Sequence, residues 1–138
     1  MGKPNWIILE EDIAKDLSGR RTVASGAKPI DKSDVRGQGY YVEAKHTSSN
    51  KYILSREGLV VHFRRAMANN SIPVFIIRFG HSADYMVILI EGISQVATQK
   101  TLTIRSSQSH TEIFENILQK FGIETNILDR KAFVRSCV

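Results

Sequence analysis

Disulfides are the first thing this chain does without. Its 138 residues include one cysteine, Cys137, beside the C-terminus, and a lone thiol has no partner within the chain, so no intramolecular bridge can staple the fold. A reducing compartment suits such a sequence. Long apolar runs are missing too. The N-terminal run Trp6-Ile7-Ile8-Leu9 is far too short for a secretory h-region. No other run approaches the about 18 residues of a membrane span, so a soluble, cytoplasmic protein with no membrane partner is expected. The histidines His46, His62, His81 and His110 lack zinc-like spacing and companion cysteines. No internal repeat and no dividing linker interrupts the chain. What remains is one domain spanning residues 1–138, large enough to bury roughly two thirds of its unfolded surface without staples.

Acid is scarce where base is plentiful. The net charge is +5, and residues 15–65 hold eleven Lys/Arg against five acids, a local +6, while the flanks carry −2 and +1. Clustered positive charge favours a polyanionic partner, nucleic acid above all, although solvated surface charge accounts for it equally well.

Apolar residues Trp6, Leu9, Ile13 and Leu17 recur at helical steps, with Asn5 as a cap and Gly19 as a stop. Arg20 to Ala24 reads as a short strand, and Ser25 to Ser33 as a loop rich in turn formers. Asp34 to Arg36 and Tyr40 to Lys45 form a hairpin around Gly37-Gln38-Gly39. Thr47 to Asn50 is a loop, and a second amphipathic helix lies between Arg56 and Asn70. Pro73–Phe79 and Tyr85–Ile90 are buried strands that pair with each other. Thr101–Arg105 is a possible strand. The capping box Ser109-His110-Thr111-Glu112 opens a helix that Gly122 closes. Residues 123–138 show no clear period. The class is α/β, a mixed sheet flanked by helices.

The pattern Asp34-x8-Glu43-x-Lys45 carries the chemistry. Alternate residues of a strand share a face, so Glu43 and Lys45 project together, and the hairpin turn brings Asp34 alongside. Two carboxylates and an ammonium at one point suit metal-assisted phosphodiester hydrolysis, with Mg²⁺ as the natural hard cation and Mn²⁺ as its substitute. Asp34 and Glu43 would be side-chain ligands and the Ala44 carbonyl a third, with Lys45 orienting or deprotonating water or stabilising developing charge. Helix 1 offers Glu10, Glu11 and Asp12 as a further acid, and Glu10, bordering the packed face, is favoured. Arg20, Arg21, Lys28 and Lys32 are candidates for phosphate contacts, as are Arg64 and Arg65 on helix 2, which charge on the outer face of a helix explains as well. Ser25, with Gly26, either lets the loop backbone approach DNA or simply makes a turn, and the turn is favoured. His46 faces away from Lys45 and reads as structural. Tyr40 and Tyr41 read as sheet packing.

These residues together resemble the archaeal-type Holliday junction resolvases of the PD-(D/E)XK nuclease superfamily, a group that includes phage-encoded members. The likeness runs from about Glu10 to Phe79: the acid-led first helix, the basic strand and Ser25-Gly26 loop, Asp34-Val35, Val42 to His46, then a helix from Ser55 to Ala68 and a strand. Ser33 stands where the superfamily name has proline. The resemblance implies a restriction-endonuclease-like α-β-β-β-α-β core at about residues 5–90, with an extra C-terminal helix and an extension over 91–138 of unclear role. It also implies a Mg²⁺ site built from Glu10, Asp34, Glu43 and Lys45, and a homodimer that cuts four-way DNA junctions in a bacterial, archaeal or phage-infected cell. Surplus apolar surface on the strands and final helix points to a dimer as well, or else to a larger monomeric core. The alternatives are a nuclease of the same superfamily acting on duplex, flap or single-stranded DNA, and a DNA-binding module without turnover.

Overall fold

Amphipathic periodicity and caps account for the helices in the computed structural model, which describes residues 2–17, 20–21, 35–37, 39–94 and 96–137. Helix α1 (Asn5–Asp16) buries Leu9 and Ile13, and Leu17 at its end is fully buried as well. It starts one residue earlier than the sequence suggests. The Pro4 carbonyl accepts from the amides of both Ile7 and Ile8, so Asn5 is the first helical residue and caps nothing. Trp6 remains 52% exposed, outside the packed stripe.

The sheet begins with β1 (Arg20–Arg21), β2 (Val35–Gly37) and β3 (Tyr40–Thr47). The chain then makes β4 (Lys51–Ser55), a strand absent from the sequence reading, before helix α2 (Arg56–Ala68). Ser55 Oγ caps α2 by accepting from the Gly58 amide at 3.1 Å. Strands β5 (Ile72–Phe79) and β6 (Met86–Ile93) follow and pair antiparallel, as their patterns foretold. Next come β7 (Thr101–Arg105) and helix α3 (His110–Phe121). Ser109 Oγ accepts from the Glu112 amide, while the Glu112 carboxylate turns to Gln108 instead of completing the capping box. Gly122 closes the helix with φ +65°, and a Cβ there would collide with the Val96 carbonyl.

Residues 123–138, which show no period in the sequence, make two elements: β8 (Ile123–Asp129) and α4 (Arg130–Ser136). Asp129 Oδ1 caps α4 by accepting from the Ala132 amide at 2.8 Å.

Six strands form a mixed sheet in the order β1-β2-β3-β5-β6-β8. Only β3 and β5 run parallel among the described pairs, and a parallel pair needs a crossover, which β4 and α2 supply. Strands β4 and β7 pair separately as an antiparallel ribbon. Both faces of the sheet are covered. Leu59 and Val60 of α2, Ile113, Ile117 and Phe121 of α3, and Leu54, Leu102 and Ile104 of the ribbon pack on the face bearing Phe75 and Ile77. Leu9, Ile13 and Leu17 of the α1 segment and Phe133 of α4 pack on the face bearing Val42, Val74 and Ile76. Covering on both sides explains why β5 is an unbroken buried run from Pro73 to Arg78 rather than an alternating one. No described helix is long and apolar enough to cross a membrane.

Polar side chains fasten α1 to this frame. Asp12 pairs with the buried Arg78 at 2.9 Å, and Asp16 pairs with Arg130 of α4 at 2.9 Å. Tyr85 donates its hydroxyl to Asp16 at 2.5 Å, and both guanidinium groups lie over its ring, at 5.7 and 5.3 Å from the centroid.

Candidate functional site

Strand alternation places the two best-defined site residues. Tyr41, Glu43 and Lys45 point from β3 to the α2 face, and Lys45 Nζ lies 3.2 Å from Glu43 Oε2. The Glu43 side chain is 21% exposed and that of Lys45 45% exposed, so the pair is half sheltered and open to water. They border a concavity of about 440 Å³ whose other walls include Tyr52 of β4 and Glu57, Val61 and Arg65 of α2. The α2 residues lie at steps of four and therefore share one stripe of the helix.

Two of these wall residues, Tyr52 and Glu57, escape the sequence reading. Tyr52 belongs to the undetected strand. Burial raises the pKa of its hydroxyl, with Lys45 opposing and Glu43 adding to the shift, so Tyr52 stays a neutral donor beside the carboxylate. Glu57 reads as an ordinary first-turn acid, and the pair Arg64-Arg65 reads equally as a DNA contact or as charge on the outer face of a helix. The structure sorts the two arginines. Both are exposed, yet only Arg65 borders the Glu43 concavity, and Arg64 turns to the next groove.

Beneath the concavity lies His62, 4% exposed. Its Nε2 donates to the carbonyls of Tyr41 and Val74, both at 2.9 Å, which fixes the proton on that nitrogen because carbonyls only accept. The ring therefore ties α2 to β3 and β5 and holds the strand that carries Glu43. Burial, the largest effect, lowers its pKa from 6.5; the two carbonyls oppose this and Arg65 adds to it. The folded ring stays neutral where the unfolded one is already protonated. This contribution to stability is thus complete above pH 6.5 and is lost as pH falls from there toward the folded pKa. Urea midpoints at about pH 7.5 and about pH 5.5 should differ more for the natural chain than for His62→Gln, which keeps a donor but does not titrate. Equal differences would refute the buried neutral ring.

Glu10 is the buried acid of α1, at 8% exposure. The other two acids of the trio are committed elsewhere, Glu11 to Lys3 at 2.8 Å and Asp12 to Arg78 at 2.9 Å. Helix α1 covers the sheet face opposite to the one that carries Glu43 and Lys45. Asp34 lies outside the described residues, but its chain neighbour Val35 pairs with Val42, the neighbour of Glu43. Among the described residues, no three His, Cys, Asp or Glu side chains gather to hold a metal ion. Ser25, Lys28 and Lys32 also fall outside the described residues, and of Arg20 and Arg21 only the backbone pairing with β2 is defined. His46 is bonded to the Gly80 carbonyl at 2.8 Å, a structural tie between β3 and the turn after β5. Tyr40 packs on Phe133 and Tyr41 on His62, both within the fold.

No protein-family model matches this chain, and no curated protein matches it in sequence. Among solved structures it is similar to Hjc, a Holliday junction resolvase from the archaeal hyperthermophile Archaeoglobus fulgidus. The two share 16% identity with a TM-score of 0.52, over 72% of this chain and 86% of the other. The fold is thus similar to that of Hjc, a mixed sheet flanked by helices.

Proposed function

We propose that this protein is a divalent-metal-dependent, structure-selective DNA endonuclease that resolves four-way junctions as a homodimer in the cytoplasm. The observation that carries the reading is the Glu43–Lys45 pair, 3.2 Å apart on a central strand and open to solvent, on a fold shared with a junction resolvase. A carboxylate half sheltered beside a solvent-open concavity is the donor type that Mg²⁺ or Mn²⁺ accepts, and the residues present fit such an ion. Glu43 would hold it with Asp34 and the Ala44 carbonyl, without Glu10, whose helix covers the other sheet face. Chain connectivity supports including Asp34, since its Cα lies about 3.8 Å from that of Val35, the residue paired with Val42. A bound divalent ion supplies Lewis acidity toward the phosphate and an acidified water.

The protein's own groups do the rest. Lys45, beside Glu43 yet solvent-accessible, is placed to hold a phosphate oxygen or a proton as negative charge develops. Arg65 and the Tyr52 hydroxyl offer donors on the opposite wall. Arg20, Arg21, Ser25, Lys28, Lys32 and Arg64 would contact the backbone on either side.

The deciding experiment incubates the protein with a labelled immobile four-way junction, a flap and a linear duplex, each with Mg²⁺ or with EDTA. Paired symmetric nicks confined to the junction and dependent on the metal are expected. Cutting of all three alike would point to a broader nuclease, and tight junction binding without cutting to a binding module on the same fold.

A further inference from the structure

The Glu43 concavity does not end at α2. A second groove, about 700 Å³, adjoins it and shares Ser55, Glu57 and Val61 as a common wall. Its far bank is the segment 97–101, which the sequence leaves without any assigned role. That bank is built into the fold. The amides of Thr98 and Gln99 donate to the Lys120 carbonyl at 2.9 and 3.1 Å, and the Arg56 amide donates to the Lys100 carbonyl at 2.9 Å. Arg56 directs Nε and Nη2 to the carbonyls of Phe121 and Ser94, so its guanidinium braces this bank.

Two cations are left to face the groove, Arg64 from α2 and Lys100 from the opposite bank, and neither forms an ion pair among the described residues. Among the described residues Glu57 is the one acid on its walls. Thr98, Gln99 and Thr101 add hydroxyl and amide groups, and no aromatic side chain lines it. Cations and hydroxyls without a stacking surface suit phosphate and sugar rather than bases.

We infer that this groove carries the sugar-phosphate backbone of the DNA strand leaving the candidate site, with Arg64 and Lys100 as paired phosphate clamps on its two banks. The assignment rests on the nuclease reading, because it takes the occupant of the first concavity to be a phosphodiester. It gives the 97–101 segment a place in substrate binding and makes that contact independent of base sequence.

The test measures binding of a fluorescent four-way junction and a duplex to the full-length chain in EDTA across a salt series. Arg64→Ala combined with Lys100→Ala should weaken both complexes alike and make the slope of log affinity against log salt shallower by about 2. Lys131→Ala with Arg135→Ala removes the same charge from α4, on the other face of the sheet, and should leave the slope unchanged. Matching melting temperatures verify that both double variants are folded. An unaltered slope for Arg64→Ala/Lys100→Ala, or an equal loss in the α4 pair, would overturn the groove assignment while leaving the nuclease reading standing. If the natural chain shows no salt-dependent DNA binding at all, the nuclease reading fails first and the groove with it.

Discussion

Glu43→Gln should abolish most metal-dependent cutting, lowering the single-turnover rate by about 10³-fold, while junction affinity in EDTA changes little. The substitution keeps the shape of the side chain and removes the charge that a divalent ion and Lys45 both require. Lys45 Nζ sits 3.2 Å from Glu43 Oε2, so the neutral amide also weakens the attraction on the ammonium. Binding is spared because Lys45 keeps its positive charge for phosphate. Lys45→Ala should instead lower the turnover rate more than it lowers affinity, because stabilisation confined to the transition state appears in the rate. Cutting by Glu43→Gln within tenfold of the natural chain would remove Glu43 from the reaction.

The largest expected loss of stability comes from a residue far from the Glu43 concavity. Arg130 donates to Asp16 through Nε at 2.9 Å and Nη2 at 3.2 Å, and the Asp16 side chain is only 13% exposed. Truncation in Arg130→Ala strands that carboxylate with Tyr85 as its remaining donor, and it also removes a guanidinium from the Tyr85 ring and a donor from the Ala83 carbonyl. Breaking a pair this enclosed should cost about 3 kcal/mol, which for a domain of this size lowers the melting temperature by about 10 °C. Lys3→Ala is the control. Its pair with Glu11 has side chains 63% and 37% exposed, and such a bridge adds almost nothing to stability. Equal losses from the two substitutions would show that the Asp16 cluster is no stronger than a surface bridge. Tyr85 reports on the same cluster, since burial and, next, the Asp16 hydrogen bond hold its pKa far above the ordinary tyrosine range.

Where the chain announces its structure, several local signals coincide. Helix α3 has a cap, an apolar stripe and a left-handed glycine, and each is found where the sequence puts it. Strands β5 and β6 are legible because burial on both faces makes them nearly continuous apolar runs, with Arg78 and Glu91 only near their ends. Shorter elements lack such redundancy. In β4 the buried Leu54 sits beside Ile53, which is 64% exposed, so the alternation that marks a strand is masked. In β8 the inward positions are Ile123, Thr125 and Ile127, and the threonine hides a period of two. Helix α4 spans less than two full turns of obvious pattern and buries only Phe133. The site divides along the same line. Glu43 and Lys45 follow from alternation within one strand, whereas Tyr52, Glu57 and Arg65 reach the concavity from other elements, and only tertiary packing brings them there. Spacing within a helix cannot say which of Arg64 and Arg65 faces β3.

The clasp between Asp16 and Arg130 joins partners 114 residues apart in the chain. During synthesis at about 5–20 residues per second, roughly 6 to 20 seconds pass between the emergence of one partner and that of the other. Throughout that interval Leu9, Ile13 and Leu17 have the growing sheet to pack on but lack Phe133 and the anchoring guanidinium. Helix α1 is therefore locked only after α4 has been made, and a nascent chain stopped before Arg130 would present an incompletely covered apolar face to chaperones.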